Sequence, residues 1–297
     1  MKSDKRTLEE LRTRIDRLDD TAHDLFMERA QIVARIAGIK AKSEDGSAPI
    51  IRPDREALIL RRLLDRHGGA LSAGVIAGMW RTLIMGCVQI QQPVSVQLFG
   101  ADDPQGLWDL ARGHFGTTVP MGLQDSVTHV FASLDPDKGS LGVFPAPDVD
   151  QSHDWWIHLL SGMRDAPRII AKLPVAETGE CADDGLSGYV VGRMDPGRTG
   201  DDVTLIAVST EDEVSRVRLV ALFEKVELAA RVLATCTADQ DRTGWRHLIE
   251  VPQHITEIEE NLANLIGASE GQLSAITVVG GHAATIRLTR PDDVKRS

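Results

Sequence analysis

The chain has 297 residues, 42% of them hydrophobic, enough to bury a sizeable core and to form two or three domains of ordinary size. Its net charge of −11 is unevenly placed: residues 1–93 hold 16 Lys+Arg against 13 Asp+Glu, and the remainder holds 17 against 31. The acidic C-terminal two-thirds argues against nucleic acid as a partner, because phosphate binding needs basic surface, whereas the basic first third leaves room for a small anionic ligand.

The first residues, MKSDKRTLEELRTRID, are charged and run straight into a helical pattern, so no signal peptide is expected. No run of 18 apolar residues occurs, so no membrane span is expected either. Cys87, Cys181 and Cys236 are odd in number and far apart. They make neither a disulfide framework nor a metal spacing, which fits a reducing cytoplasm. The nine histidines lack metal-ligand spacing, and no metal or cofactor is expected.

Residues 5–43 read as one long helix. Leu8, Leu11, Ile15, Leu18, Ala22, Leu25, Arg29, Ile32, Ile36 and Ile39 follow at alternating spacings of three and four, a sustained heptad seam. At 1.5 Å per residue such a helix is roughly 58 Å long, more than a small domain can cover. The seam therefore calls for partner helices, most simply from a second copy of the chain. SEDGSAPI, with Gly46 and Pro49, breaks this helix. A second helix spans 54–67, preceded by Pro53 and followed by Gly68-Gly69. Ser72 can cap a third, ending near Gln92 before Pro93. Residues 1–93 thus form an all-α domain of three helices.

After Pro93 the texture changes. VSVQLFG reads as a strand, GLWDLARGHFG and SVTHVFASL as helices, SLGVFPA as a strand, DWWIHLLSG as a helix, and PRIIAKLPV and GYVVGR as strands. Strands alternating with helices imply an α/β lobe over 94–200. MDPGRTGDD is a turn-rich linker. VTLIAVST, VSRVRLVALFEKVE, ARVLATCTAD, WRHLIEVP, ITEIEENLANLIG and AITVVGG then give a ferredoxin-like βαββαβ unit over 201–297.

Arg29 stands at a core position of the first seam. A snorkelling arginine fits that pattern, but the seam is regular on both sides, so the guanidinium should face inward. Buried, it needs an anion. Lys40 lies eleven residues on, three turns away and on nearly the same face. Two cations on one buried face point to an anionic ligand. Leu83, Cys87 and Gln91 line one face of the third helix at i, i+4 and i+8. Arg55 and Glu56 open the second helix, where an Arg-Glu pair alone is ordinary surface chemistry.

Together LEELRTRIDRLD, MERAQIVARIAGIK, PIIRPDREALILRRL and WRTLIMGCVQIQQ resemble the all-helical bacterial chorismate mutases over residues 6–93. The resemblance implies an intertwined homodimer with shared active sites that converts chorismate to prephenate without a cofactor. It implies that Arg29 and Arg55 hold the substrate's two carboxylates and that Arg12 reaches into the partner's site. Lys40 and Gln91 would donate to the ether oxygen of the breaking bond, and Glu56 would accept from the ring hydroxyl. Two positions depart: a serine is replaced by Cys87, a weaker hydrogen-bond partner, and an aspartate by Arg52, which adds charge at the pocket mouth. The chemistry agrees with this cast. A pericyclic shift moves no proton and needs no nucleophile. Bidentate arginines hold the reactive conformer, and fixed donors in a dry site stabilise charge on the ether oxygen. A non-catalytic regulator that binds chorismate or prephenate for a partner enzyme is the alternative.

GLQDSVTHVFASLDPDKGSLGVFPAPD and PRIIAKLPV, with GYVVGR, resemble the first lobe of prephenate dehydratase. The order of elements over 201–285, with WRHLIEVPQHITEIEENLANLIG, resembles an ACT regulatory domain. The departures are large. The second dehydratase lobe is missing between Val175 and Gly185, Ser187-Gly188-Tyr189 replaces Thr-Arg-Phe, and Pro147-Asp148-Val149 replaces Glu-Asn-Ser. TEDEVSRV and TCTAD replace the ACT effector motifs. A remnant without dehydratase chemistry is expected, serving as scaffold, with allosteric ligand binding as the alternative. Trp155-Trp156 reads as part of a core helix, not a ligand pocket.

Overall fold

A computed structural model describes residues 2–41, 49–100, 102–147, 154–161, 165–178, 185–237, 244–256 and 260–288. Helices α1 (Lys2–Lys40), α2 (Pro53–Asp65) and α3 (Ala73–Gln91) come first. Cys181 and the helical reading of residues 42–43 lie outside the described residues. Contacts divide the chain into two units, 1–50 with 86–93, and 51–85 with 94–297.

In the first unit, α1 runs unbroken for 39 residues. Its seam is open to solvent in the single chain: Leu18 is 61% exposed, Leu25 59% and Ile39 70%. In the second unit, Pro53 starts α2, where its missing N–H costs nothing and its fixed φ suits the first turn. The helix buries Glu56, Ala57 and Leu60. α3 is long and apolar enough to cross a membrane, with a mean hydropathy of 1.4. It nevertheless carries one buried charge, Arg81, and packs Ile84 and Met85 into the core.

The elements after α3 are β1 (Ser95–Phe99), α4 (Pro104–Phe115), β2 (Met121–Gln124), α5 (Val127–Ser133), β3 (Ser140–Pro145), a 3-10 turn (Trp155–Leu159), β4 (Arg168–Leu173), β5 (Ala176–Thr178) and β6 (Gly188–Gly192). They continue with β7 (Asp202–Thr210), α6 (Arg216–Glu224), β8 (Arg231–Thr237), β9 (Trp245–Val251), α7 (Glu260–Ala268), β10 (Leu273–Ala283) and β11 (Ile286–Leu288). Side-chain caps set two helix starts: Asp103 accepts from the Gly106 amide at 2.8 Å, and Ser215 from the Arg218 amide at 3.3 Å.

Nine strands form one sheet in the order β2-β1-β3-β6-β4-β10-β7-β9-β8. β1 is parallel to β2 and β3, whereas β7, β8, β9 and β10 pair antiparallel in the order β10-β7-β9-β8. The segments 94–200 and 201–297 therefore share a sheet, joined where Gly280 of β10 meets Ile169 of β4. Gly280 has φ +139, and a Cβ there would overlap the Ile169 backbone, so glycine permits this junction. Both faces are covered. Leu205 and Ala207 of β7 face a core with Trp155, Trp156 and Phe144, and Ile206 and Val208 face one with Leu219, Phe223 and Leu265 of α6 and α7.

The helix expected at DWWIHLLSG is instead a five-residue 3-10 turn. It is a short connector that buries Trp155, Trp156 and Leu159 together, a typical use of 3-10 geometry. Trp155 Nε1 donates to the Pro145 carbonyl at 2.9 Å. β2, β5 and β11 were not expected from the sequence. β2 is a four-residue strand, and β5 and β11 are three-residue strands paired only with each other, too short to show a period.

Candidate active site in the helical segment

The first unit brings together two of the expected residues directly. Arg29 of α1 donates to Sγ of Cys87 on α3 at 2.6 Å. Cys87 is buried, and Arg29 is half-buried. One turn further along α3, Gln91 Nε2 donates to the Cys87 carbonyl at 3.4 Å, a bond within its own helix. Lys40, at the end of α1, donates to the Pro49 carbonyl at 3.5 Å. Arg12 lies on the exposed surface of α1, 3.7 Å from Glu9.

The second unit holds the residues expected from the second helix. Arg52 pairs with Asp54 at 2.8 Å, and Arg55 is exposed in the first turn of α2. Glu56 is buried and bonded to Arg81 at 2.5 Å. Arg81 and its partner His114 were missed from the sequence. The available signal was that Arg81 is the one charged residue in AGMWRTLIMGCVQIQ. A charge in the middle of an apolar helix needs a buried partner.

The chemistry the first unit offers is anion binding: a half-buried guanidinium and an ammonium come from α1, and an amide side chain comes from α3. In the second unit, the exposed Arg55 lies in the first turn of α2, where the helix dipole also favours negative charge.

In the C-terminal region, a cavity of about 300 Å³ is lined by Arg168, Asp202, His254, Gly280 and Gly281 among others. Its cation is already engaged: Arg168 lies 3.0 Å from Asp195 and donates to the Val278 carbonyl at 3.0 Å. Tyr189, at the position of the dehydratase signature, is 1% exposed and packs against Trp155. Burial pushes its phenol pKa upward. Asp148 and Val149 lie outside the described residues, as do residues 179–184 of the gap between Val175 and Gly185.

Residues 11–92 match the family described as chorismate mutase type II. The match is confined to the N-terminal segment. The chain is 31% identical over 147 residues to a bifunctional chorismate mutase/prephenate dehydratase of Pseudomonas aeruginosa, covering 48% of this chain and 40% of that protein. It is also 31% identical over 142 residues to the bifunctional enzyme of Stutzerimonas stutzeri, covering 46% and 38%. The chain thus spans well under half the length of these relatives. Both alignments are longer than the family match, so the likeness extends beyond the mutase segment. Among solved structures, a prephenate dehydratase from Streptococcus mutans superposes with a TM-score of 0.44 at 12% identity, over 66% of this chain and all of that one.

Proposed function

We propose that this chain is a chorismate mutase that rearranges chorismate to prephenate in aromatic amino-acid biosynthesis. The observation that carries the reading is the family match over residues 11–92, together with Arg29 seated on Cys87 within that segment. In this reading Arg29 and Arg55 clamp the two carboxylates of chorismate and hold its compact conformer. Lys40 and Gln91 turn from their backbone carbonyls to the ether oxygen and stabilise the charge that develops there. Arg52 adds cationic charge at the mouth, and Cys87 keeps Arg29 in place. No proton is transferred and no cofactor is needed. Glu56, which takes the ring hydroxyl in this reading, is held by Arg81.

The same reading makes the protein a homodimer. The apolar seam of α1 is exposed in one chain and is covered by a second copy, and Arg12 reaches the partner's site. The C-terminal region is read as a one-lobe dehydratase remnant followed by an ACT-like βαββαβ unit, without dehydratase activity, in a cytoplasmic protein. The order β10-β7-β9-β8 supports the second assignment.

The test is chorismate consumption and prephenate formation by the purified full chain, with and without Phe, Tyr and Trp. Stoichiometric conversion supports the reading. Binding of chorismate without conversion would replace it with a non-catalytic regulator.

A further inference from the structure

Arg81 of α3 is the centre of a buried polar cluster. It is 4% exposed and donates to Glu56 Oε2 at 2.5 Å and to His114 Nε2 at 2.7 Å. Its Nε also donates to the His114 carbonyl at 3.3 Å. A guanidinium only donates, so His114 Nε2 accepts and the ring proton sits on Nδ1. On β10, His282 Nδ1 lies 2.9 Å from the Ala283 carbonyl. A carbonyl only accepts, so Nδ1 carries the proton and Nε2 is a bare acceptor. Both rings are neutral. Burial, and secondarily the Arg81 charge, holds His114 well below its ordinary pKa, and burial lowers His282 to about 4.

Three buried atoms of this neighbourhood then have no protein partner among the described residues: Glu56 Oε1, His114 Nδ1 and His282 Nε2. Their residues, with Arg81 and Lys172, line one cavity of about 20 Å³. That volume takes one water and nothing larger. The three atoms offer one donor and two acceptors, which a water meets with one lone pair and two hydrogens. α2, which carries Glu56, is tied down again at Arg61, which donates to the Asp201 and Ala284 carbonyls at 2.7 and 3.0 Å.

We propose that the cavity holds one ordered water, accepting from His114 and donating to Glu56 and His282, and that Glu56 thereby fixes α2 to the sheet.

Histidine-labelled full-length protein at neutral pH should show His114 and His282 as neutral Nδ1–H tautomers by nitrogen-15 NMR. An Nε2–H tautomer at either residue would overturn the water's hydrogen-bond pattern. Glu56→Gln leaves Arg81 buried and uncompensated, and should lower Tm by roughly 10 °C. The double variant Glu56→Leu, Arg81→Met replaces both charges with apolar groups and should recover most of the lost Tm. An unchanged Tm in Glu56→Gln would overturn the anchor. If the single variant does not fold, the double variant decides: a Tm near the parent's supports the anchor, and a double variant that also fails to fold contradicts it.

Discussion

Arg29 donates to Sγ of Cys87 at 2.6 Å, joining the one cation in the apolar seam of α1 to a buried thiol on α3. The thiol is a weak and soft acceptor. It orients the guanidinium while leaving its remaining donors for a stronger acceptor such as a carboxylate. Arg29→Ala and Lys40→Ala should each lower kcat/KM for chorismate by about two orders of magnitude or more, as loss of a preorganised charged donor does. Parent-like steady-state kinetics in either variant would place the site elsewhere. Cys87→Ser restores a stronger hydrogen-bond partner and should keep activity, with KM lowered a few-fold; a higher KM would show that the thiol itself is needed.

The C-terminal region should not convert prephenate to phenylpyruvate. Where the sequence resemblance implies the dehydratase signature, the sheet carries Tyr189, sealed in the core at 1% exposure. Incubating the full chain with prephenate at neutral pH should give phenylpyruvate only at the spontaneous rate. Enzyme-dependent phenylpyruvate formation would show that one lobe suffices.

Stability should fall on mild acidification. His247 is buried between the hydroxyls of Thr210 at 3.3 Å and Thr235 at 3.0 Å, and burial lowers its pKa from 6.5 to about 4. The unfolded chain takes a proton at this residue below pH 6.5, whereas the folded chain does so only near pH 4. The folded state is therefore favoured fully above pH 6.5 and loses up to roughly 3 kcal/mol between pH 6.5 and 4 through this residue. Urea unfolding across that range should show the loss, and His247→Gln should make it shallower. An identical slope in the variant would assign the loss to other groups.

The helical segment was the most legible part of the chain. The three- and four-residue spacing of the α1 seam, Pro53, Gly68-Gly69 and Pro93 give the helices nearly residue by residue. Arg29 reads as inward-facing and Cys87 as lining one face of the third helix, and the two meet. The alternating or continuous apolar runs of β7, β9 and β10 were equally clear. Partnership across long separations was not. That Gly280 would let β10 reach β4, merging two expected domains into one sheet, depends on a backbone approach no local pattern encodes. Glu56 read as a surface residue beside Arg55 because its partners are 25 residues away on α3 and, through the cavity, on α4 and β10.

In the proposed reading, two copies of the chain build each mutase site. Arg12→Ala and Arg55→Ala should each be nearly inactive alone. Co-refolded in equal amounts, half the dimers are mixed. In each mixed dimer one site draws both lesions and the other draws neither, so about a quarter of the parent activity should return. Co-refolding is needed because intertwined chains exchange slowly. No recovery, with mixed dimers verified by a tag pull-down, would place Arg12 in its own chain's site or outside the site, and would contradict the shared site.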